Sequence, residues 1–449
     1  MHLFAKNNVD ILHGYLRHTI LLYTIPVILT SVLNLFFHAS DMFVVGRFVG
    51  PAALAAVGAS ATTTNCLFHL YAGLSTAINI MIAQSIGARN DRLTAKILHT
   101  AAGASLLLGL IIAAFGLCLS KPILTLLGTP QEVLPQATLY LRIFCLGVPG
   151  SVCYNFLTAA LLGKGDTASP FIILAIAGVT NIIMNLVFVL VFGMGVYGVA
   201  TATALSMLLA AIIATRKLLH LNEAWKLRWH LIRIDFRLLW SILRLGLPAS
   251  VNGVLFAVCN MYLQSAINSF GAMAMAGCAA SSTIEGFIYV TMDSFRKTAL
   301  TFSGQHYGAK LYHRLKQILK INMLYVTIGG LCVGLLTAGF RHTLLGLFLS
   351  SEEAMYYGSI HLAMLGYTYF LCGIMNVLDG SIRGLGYSML PTLITLVGIC
   401  GFRVFWISTI FPKYHHPTVL LSAFPGSWII ILIIYAATYR HFLRHKVHA

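Results

Sequence analysis

Long apolar runs recur along the whole chain, and they constrain its fold more than any other feature. Hydrophobic residues make up 58% of the 449 residues and charged residues only 9%, against about 25% charged residues in an ordinary soluble domain. A helix of roughly 20 apolar residues crosses a hydrocarbon core about 30 Å thick. The sequence therefore predicts an all-α integral membrane protein with about twelve transmembrane helices. The expected spans are 19–46, 52–84, 93–118, 133–160, 169–193, 197–219, 238–268, 273–303, 316–340, 354–382, 389–411 and 418–439.

The formal charge of +17 would suit nucleic-acid binding, but the positions of the basic residues favour another explanation. With the amino terminus in the cytoplasm, 21 of the 29 Lys and Arg residues fall at cytoplasmic ends of the predicted spans, 4 fall at the opposite ends, and 4 lie inside spans. Cytoplasmic loops of membrane proteins carry such an excess of positive charge. We therefore expect a multi-pass protein of the cell inner membrane, with both termini in the cytoplasm, lipid around it and no nucleic-acid partner. No cleaved signal peptide is expected, because the first 19 residues lack a short apolar core followed by a cleavage site.

An internal repeat at an offset of about 221 residues divides the chain. Gln84-Ser-Ile-Gly-Ala-Arg89 matches Gln305-His-Tyr-Gly-Ala-Lys310, and the segment 163–170 matches 384–391. Pro26 and Pro248 take equivalent places in the first and seventh spans, and we predict that both are structural hinges. Because each half has an even number of spans, the halves share one orientation and are related by a pseudo-two-fold axis along the membrane normal. We predict two six-helix lobes, 1–219 and 238–449, joined by a basic cytoplasmic linker, 220–237.

These motifs resemble the multidrug and toxic compound extrusion (MATE) family, and in particular its branch named after DNA-damage-inducible protein F. The resemblance rests on Pro26 with Asp41, on both Gln-x-x-Gly-Ala motifs, on Gly163-x-Gly-Asp-Thr, on Gly246-Leu-Pro248 and on Asn268-Ser-Phe-Gly271. The motifs occur in order over essentially the whole chain. The resemblance implies a V-shaped pair of lobes that exports amphipathic, often cationic compounds while protons or sodium ions move inward.

The resemblance also implies a cation site in the amino-terminal lobe, with Asp41 as its carboxylate and Asn181, Asn185 and Thr203 as polar partners. Many relatives carry aspartate where Asn185 stands, so this site has one formal charge fewer. A carboxylate inside a membrane span costs at least a few kcal/mol and is a functional candidate on that ground alone. We hypothesise that Asp41 takes up a proton from outside and releases it inward. A sodium ion held by the same four residues is one alternative, and a purely structural carboxylate is another. His38, one turn earlier, either hydrogen-bonds Asp41 and tunes it or, as we favour, is a packing or interfacial histidine.

Ionisable residues in the eighth and tenth spans form the candidate substrate cavity of the second half. Asp293 and Lys297 have the i, i+4 spacing of a helical ion pair. The basic pair Arg296 and Lys297 suggests a cavity for anionic or zwitterionic substrates. Alternatively, this pair reaches the cytoplasmic interface or meets Glu285 and Asp379. Aromatic and methionine side chains can line an adaptable cavity, although we expect most of those selected here to be ordinary helix packing. The candidate set is Glu285, Asp293, Arg296, Lys297, Asp379, Arg383, Phe36, Met261, Tyr262, Phe287 and Tyr289.

Cation-coupled export of small amphipathic organic compounds, such as drugs and toxins, is the predicted function, carried out by a monomer that alternates access between its lobes. A flippase for a lipid-linked precursor is the alternative within transport. A membrane-embedded enzyme would need acids, histidines or a nucleophile gathered at one depth, whereas the 12 Asp and Glu residues are dispersed. The nine cysteines form no CxxC pair. We therefore expect no metal site and no cofactor, with H⁺ or Na⁺ as the coupling ion.

Overall fold

The computed structural model describes residues 9–447, except for the side chains of residues 51, 52 and 443–447. Within this part of the chain, 12 helices are long and apolar enough to cross a membrane. The predicted all-α fold class with about twelve spans is confirmed. The spans are α1 Leu16–Val49, α2 Ala53–Gly87, α3 Asp91–Leu126, α4 Leu134–Lys164, α5 Ala168–Val191, α6 Val196–Leu219, α7 Phe236–Asn268, α8 Ala272–Gly308, α9 Tyr312–Gly339, α10 Glu352–Gly384, α11 Met389–Lys413 and α12 Pro417–Phe442.

Several helices extend beyond the apolar runs that predict them. Helix α3 has 36 residues and is therefore about 54 Å long at 1.5 Å per residue, well beyond the thickness of a hydrocarbon core. Asn90 caps its start, because the Asn90 side chain accepts a hydrogen bond from the backbone N–H of Leu93 at 3.0 Å, and Asp91 lies in the first turn. Apolar residues alone predict only the part of the helix that lies in lipid.

The described chain forms two compact units that do not coincide with the halves of the sequence. Unit 1 contains Leu29–Ser250, and unit 2 contains Asp10–Ile28 together with the chain from Val251 onward. Helix α1 therefore changes unit two residues after Pro26, and α7 changes unit two residues after Pro248. The predicted lobe boundaries at 219 and 238 follow the duplication. The compact units differ from these lobes in two ways: the first part of α1 belongs to unit 2, and the linker and the first part of α7 belong to unit 1. A proline inside a helix removes one backbone hydrogen bond and permits a bend at both places.

One helix is central to the packing of each unit. In unit 1, α4 packs against α2, α3 and α6, and in unit 2, α10 packs against α8, α9 and α12. Glycines bring these helices together. A Cβ atom on Gly147 of α4 would lie 2.6 Å from the Cα of Ala204 in α6, and one on Gly334 of α9 would lie 2.1 Å from the backbone oxygen of Gly366 in α10. Small residues allow such close helix packing in membranes.

The backbone repeats itself at the same offset of 221 residues. Residues with left-handed φ angles occur in the pairs Gly50 and Gly271, Arg89 and Lys310, and Gly165 and Gly386. An interhelical hydrogen bond also occurs twice. The Ser60 hydroxyl donates to the Ala137 carbonyl at 3.4 Å in unit 1, and the Ser281 hydroxyl donates to the Gly358 carbonyl at 2.8 Å in unit 2. The duplication read from the sequence is therefore present in the structure.

The predicted linker 220–237 packs against unit 1. Trp225 is buried, and the backbone N–H of Arg228 donates to Nε2 of His99 in α3 at 3.0 Å. Lys164 Nζ at the end of α4 lies 3.0 Å from Glu223 Oε1. The segment thus belongs to the fold of unit 1 as well as joining the two repeats.

Candidate ion and substrate sites

Asp41 of α1 lies at the centre of a buried polar cluster in unit 1. The residue is 5% exposed. Asn185 Nδ2 donates to Asp41 Oδ1 at 2.6 Å, and the Thr203 hydroxyl donates to Asp41 Oδ2 at 2.8 Å. Asn181 joins them, because its Oδ1 lies 3.1 Å from Asn185 Nδ2 and its Nδ2 donates to Thr203 Oγ1 at 3.3 Å. Helices α1, α5 and α6 therefore bring together the four residues selected from the sequence and the resemblance.

The Asp41 carboxylate is held by neutral groups. Within the described chain, no Lys, Arg or His nitrogen lies within ion-pair distance of it. Asn185 Oδ1 is buried and has no hydrogen-bond partner there. A buried charge without a counter-charge is costly, and carboxylate, amide and hydroxyl oxygens are ligands for hard cations. The cluster can thus accept either a proton on the carboxylate or a sodium ion among its oxygens.

Two π-helical turns follow this cluster directly. Val45–Val49 ends α1 one turn after Asp41, and Val187–Val191 ends α5 immediately after the turn that contains Asn185. Single π turns inside α-helices often occur at functional sites. Val45 and Val189 also pack in one buried apolar cluster. The irregular backbone thus lies beside the residues that hold Asp41.

His38 makes no hydrogen bond to Asp41 in the described part of the chain. Its side chain is exposed, and its ring lies edge-on to Phe37 with the ring centroids 6.1 Å apart. Both Asp41 oxygens instead accept hydrogen bonds from α5 and α6. Although three residues along a helix lie on neighbouring faces, Asp41 points to the packed side of α1 and the His38 side chain reaches its surface.

Asp379 and Arg383 form a buried ion pair in α10 of unit 2. Arg383 is 2% exposed, and its Nε donates to Asp379 Oδ1 at 3.1 Å and to Oδ2 at 2.9 Å. Its Nη1 donates to the Ser388 hydroxyl at 2.9 Å, and its Nη2 donates to Thr392 Oγ1 at 3.3 Å. The Tyr435 hydroxyl donates to Asp379 Oδ1 at 3.1 Å. The pair is satisfied within unit 2 and stabilises the end of α10.

A second group of charges lies in α8. Arg296 Nε donates to Asp293 Oδ1 at 2.6 Å, and Lys297 Nζ lies 3.2 Å from Asp293 Oδ2. The ion pair suggested by the spacing of Asp293 and Lys297 is present. In the described chain, neither cation forms an ion pair with Glu285 or Asp379. One carboxylate therefore serves two cations.

Two ionisable residues that we did not select from the sequence join the polar groups of unit 2. His361 Nε2 lies 3.5 Å from Glu285 Oε2, and the Tyr369 hydroxyl donates to Glu285 Oε1 at 2.8 Å. Arg403 is 3% exposed, and its guanidinium lies 4.1 Å from the centroid of the Phe424 ring. Both residues lie inside predicted spans, so the same criterion that selected Asp41 would have found them.

The family of the chain follows from comparison with known proteins. The MatE family model matches twice, over residues 26–187 and 248–406, once in each repeat. The chain belongs to the MatE family. This MatE protein is 30% identical over 391 residues to the probable multidrug resistance protein YoeA of Bacillus subtilis (strain 168), with 85% of this chain and 84% of that protein covered. It is 28% identical over 293 residues to DNA damage-inducible protein F of Escherichia coli (strain K12), with 64% and 62% covered.

Solved structures share the fold of this MatE protein. A crystal structure of MATE in complex with MaL6 has a TM-score of 0.92 at 21% identity, with 99% of this chain and 100% of that chain covered. The outward-facing conformation of a multidrug resistance MATE family transporter has a TM-score of 0.90, also at 21% identity, with 99% of both chains covered. The predicted family resemblance and the two-lobed twelve-helix fold are confirmed, and the protein is a transporter by family.

The aromatic and methionine candidates of this MatE protein do not form one group. Phe36 belongs to unit 1, whereas the other four belong to unit 2. All five side chains are exposed, and the Tyr262 hydroxyl is 2.8 Å from the Ser408 hydroxyl. They lie on unit surfaces that lipid or a substrate can reach. The four residues of unit 2 are Met261, Tyr262, Phe287 and Tyr289.

Proposed function

We propose that this MatE protein is a secondary active transporter that exports amphipathic organic compounds in exchange for protons or sodium ions. The Asp41 cluster carries the proposal, because it holds a buried carboxylate with neutral partners only. Neutralisation of this charge by a proton or a cation removes a cost of burial. The name of the relative YoeA, a probable multidrug resistance protein, supports small organic substrates.

Binding of the coupling ion would change the contacts that join three helices. A protonated Asp41 becomes a hydrogen-bond donor, so one of the bonds that it accepts from Asn185 or Thr203 has to rearrange. A sodium ion would instead draw the oxygens of the cluster towards itself, and Asn185 Oδ1 is ready for this role because it has no hydrogen-bond partner in the described chain. Either event favours one arrangement of α1, α5 and α6 over another, which is the requirement for coupling.

Pro26 and Pro248 support the proposal of alternating access. Each proline stands two residues before its helix passes from one unit to the other. The missing backbone hydrogen bond lowers the cost of bending a helix at that place. Bending of α1 and α7 at these prolines would supply the hinge that alternating access requires.

We also propose that the protein acts as a monomer in the cell inner membrane, surrounded by lipid and with both termini in the cytoplasm. The distribution of 21 basic residues on one side and 4 on the other supports this orientation. Relatives such as YoeA are named as resistance proteins, so we propose no enzymatic activity and no cofactor beyond the coupling ion.

Transport by the purified protein in liposomes tests the proposal. Vesicles with an imposed proton or sodium gradient are given the cationic dye rhodamine 6G, and its movement is followed by fluorescence. We expect the wild type to move the dye only when a gradient is present. We expect Asp41→Asn to show no gradient-driven transport. Asp91→Asn is the matched control, because Asp91 is an exposed carboxylate in the first turn of α3. Transport without a gradient, or full gradient-driven transport by Asp41→Asn, would contradict the proposal.

A further inference from the structure

We propose that Arg296 and Lys297 of α8 form an anion-binding subsite in unit 2, which selects amphipathic substrates that carry a carboxylate or phosphate group. The inference rests on the transporter function proposed above and specifies the substrate chemistry of its second unit. It follows from the balance of charge, the direction of the side chains and the unused donors of Arg296.

The charges around Asp293 do not balance. Its Oδ1 is 2.6 Å from Arg296 Nε, and its Oδ2 is 3.2 Å from Lys297 Nζ. The side chains of Asp293, Arg296 and Lys297 are 14%, 21% and 37% exposed, so they are sheltered but reachable. Two cations and one carboxylate leave a net positive charge inside a membrane span, where charge is costly and generally marks a functional position. An incoming anion would neutralise it.

Asp379 and Glu285, two other carboxylates of unit 2, are already engaged. Asp379 accepts two bonds from Arg383. Glu285 stands 11 residues before Arg296, which is about 17 Å along the helix axis, and it accepts a hydrogen bond from Tyr369. When Asp379 and Arg383 are counted together with the Asp293 cluster, three cations still face two carboxylates.

Both cations reach away from the nearer end of their helix. Arg296 stands 12 residues before Gly308 at the end of α8 and 24 residues after Ala272 at its start. A basic side chain that only escapes the membrane extends towards the nearer interface. Here both side chains extend back to Asp293, towards the farther end. Both cations are thus engaged with Asp293 in the structure.

Arg296 keeps the donors that an anion requires. A guanidinium has five N–H groups, and the hydrogen bond that Arg296 makes in the described chain uses Nε alone. The remaining edge suits a carboxylate or phosphate, which a guanidinium binds through two parallel hydrogen bonds. Gly380 of α10 positions the side chain, because a Cβ atom there would lie 2.2 Å from the backbone oxygen of Arg296 and 3.1 Å from its Cγ. Lys297 adds a point charge beside this fork.

One aromatic side chain lies on the same face of α8 as Arg296. Tyr289 stands one turn before Asp293 and seven residues before Arg296, and it is 47% exposed. An aromatic ring on the face that carries a guanidinium suits a ligand with an apolar body and one anionic group.

A pair of dyes that differ only in one carboxylate tests this subsite. Rhodamine B has a free carboxylate, and its ethyl ester does not. Binding of each dye to the protein in phosphatidylcholine bilayers is measured by fluorescence polarisation. Because charge-assisted bidentate bonds are strong, we expect Arg296→Gln/Lys297→Gln to weaken the binding of rhodamine B about tenfold or more and to leave the binding of the ester unchanged.

Two further variants keep this test decisive. Lys413→Gln removes an exposed positive charge at the end of α11 and should change the binding of neither dye. If the double variant does not fold, Arg296→Lys keeps the charge opposite Asp293 but removes the planar fork, and it should still weaken the binding of rhodamine B alone. Equal binding of rhodamine B by wild type and variant, or an equal loss for both dyes, would overturn the proposal.

The same binding assay distinguishes a failure of this inference from a failure of the proposed transport function. It also shows whether the subsite binds a substrate or a lipid phosphate. Dye binding needs no ion gradient, so selective binding of rhodamine B without gradient-driven transport would contradict the transport function alone. Unselective binding with intact transport would contradict the anion subsite alone. In the last arm of the experiment, binding of rhodamine B is measured again in bilayers that contain phosphatidylglycerol. Unchanged affinity for rhodamine B supports a substrate subsite, whereas displacement of the dye by this lipid assigns the subsite to a lipid phosphate and overturns its role in substrate selection.

Discussion

The polar cluster of unit 1 and its counterpart in unit 2 occupy equivalent places in the repeat but contain opposite kinds of residue. At the offset of 221, the equivalents of Asp41, Asn181, Asn185 and Thr203 are Tyr262, Phe402, Trp406 and Phe424. The rings of Phe402 and Trp406 lie with centroids 5.4 Å apart. Oxygen ligands in one unit are thus replaced by packed aromatic rings in the other. The two repeats share the same helical framework, but only the repeat in unit 1 carries the side chains of the candidate ion site.

The charged residues of unit 2 have neutral equivalents in unit 1. The residues Glu285, Asp293, Arg296, Lys297, Asp379 and Arg383 correspond to Thr64, Ala72, Ser75, Thr76, Thr158 and Leu162 of unit 1. In unit 2 the carboxylates have cationic or imidazole partners, whereas Asp41 of unit 1 has none in the described chain. A paired charge stabilises its surroundings and a solitary one is available for exchange, so the two units should respond differently to substitution.

The largest expected effect is on the buried pair of unit 2. Arg383→Met leaves Asp379 buried without its counter-charge, and we expect the free energy of unfolding to fall by about 3–5 kcal/mol. Thermal or chemical unfolding in detergent measures it. Lys413→Met, at an exposed site, should change stability by less than about 0.5 kcal/mol. Equal stability of the two variants would show that the Asp379 pair is not structural.

A smaller effect is expected where helices of unit 2 touch. In Gly334→Ala, the carbon of the new methyl group would lie 2.1 Å from the backbone oxygen of Gly366. We expect a loss of about 1–3 kcal/mol in unfolding free energy. Gly58→Ala in α2 has no heavy atom within 4 Å of the new Cβ and should leave stability unchanged or raise it by up to about 1 kcal/mol. Similar losses in both variants would contradict the role of the close contact.

The tyrosine that replaces Asp41 in the repeat should matter little. Tyr262→Phe removes a hydroxyl that lies 2.8 Å from Ser408 Oγ on an exposed surface. We expect a change of about 1 kcal/mol or less in unfolding free energy and unaltered gradient-driven transport of rhodamine 6G in liposomes. A loss of coupling in this variant would mean that both copies of the site carry ions.

The smallest expected effect on stability is at Asp41 itself. Asp41→Asn removes a buried charge that has no ion-pair partner in the described chain, so we expect the unfolding free energy to stay within about 1 kcal/mol of wild type or to rise. Unfolding curves measured in parallel with the transport assay test this. A loss as large as that of Arg383→Met would instead assign Asp41 a structural role.

Much of the fold could be predicted because its main signals are local. Apolar runs predict the spans, and the repeat predicts the two-fold organisation. Asp41 with Asn181, Asn185 and Thr203 could be selected because one buried carboxylate marks a site and the family resemblance supplies its partners. These signals need no knowledge of distant contacts.

The remaining features depend on contacts that sequence spacing does not reveal. The passage of α1 and α7 between units after their prolines is set by packing along the whole chain. Asp41 and His38 do not meet because Asp41 points to the packed side of α1, whereas the His38 side chain is exposed. Arg403 and His361 carried a usable signal, since each is ionisable within an apolar span, but their partners come from other helices.

The exchange of helix segments has a consequence for synthesis at the ribosome. The hydroxyls of Tyr23 and Thr24 bond to those of Thr301 and Thr298, each at 2.9 Å. Thr298 and Thr301 are synthesised about 275 residues after Tyr23 and Thr24, so at translation rates of about 5–20 residues per second the first segment waits roughly 14–55 s for its partners. Until then the interhelical bonds of both hydroxyls are absent, although the Thr24 hydroxyl has an acceptor in its own helix, the Ile20 carbonyl at 2.7 Å. The first membrane helix therefore completes its packing only after about two-thirds of the chain has been synthesised.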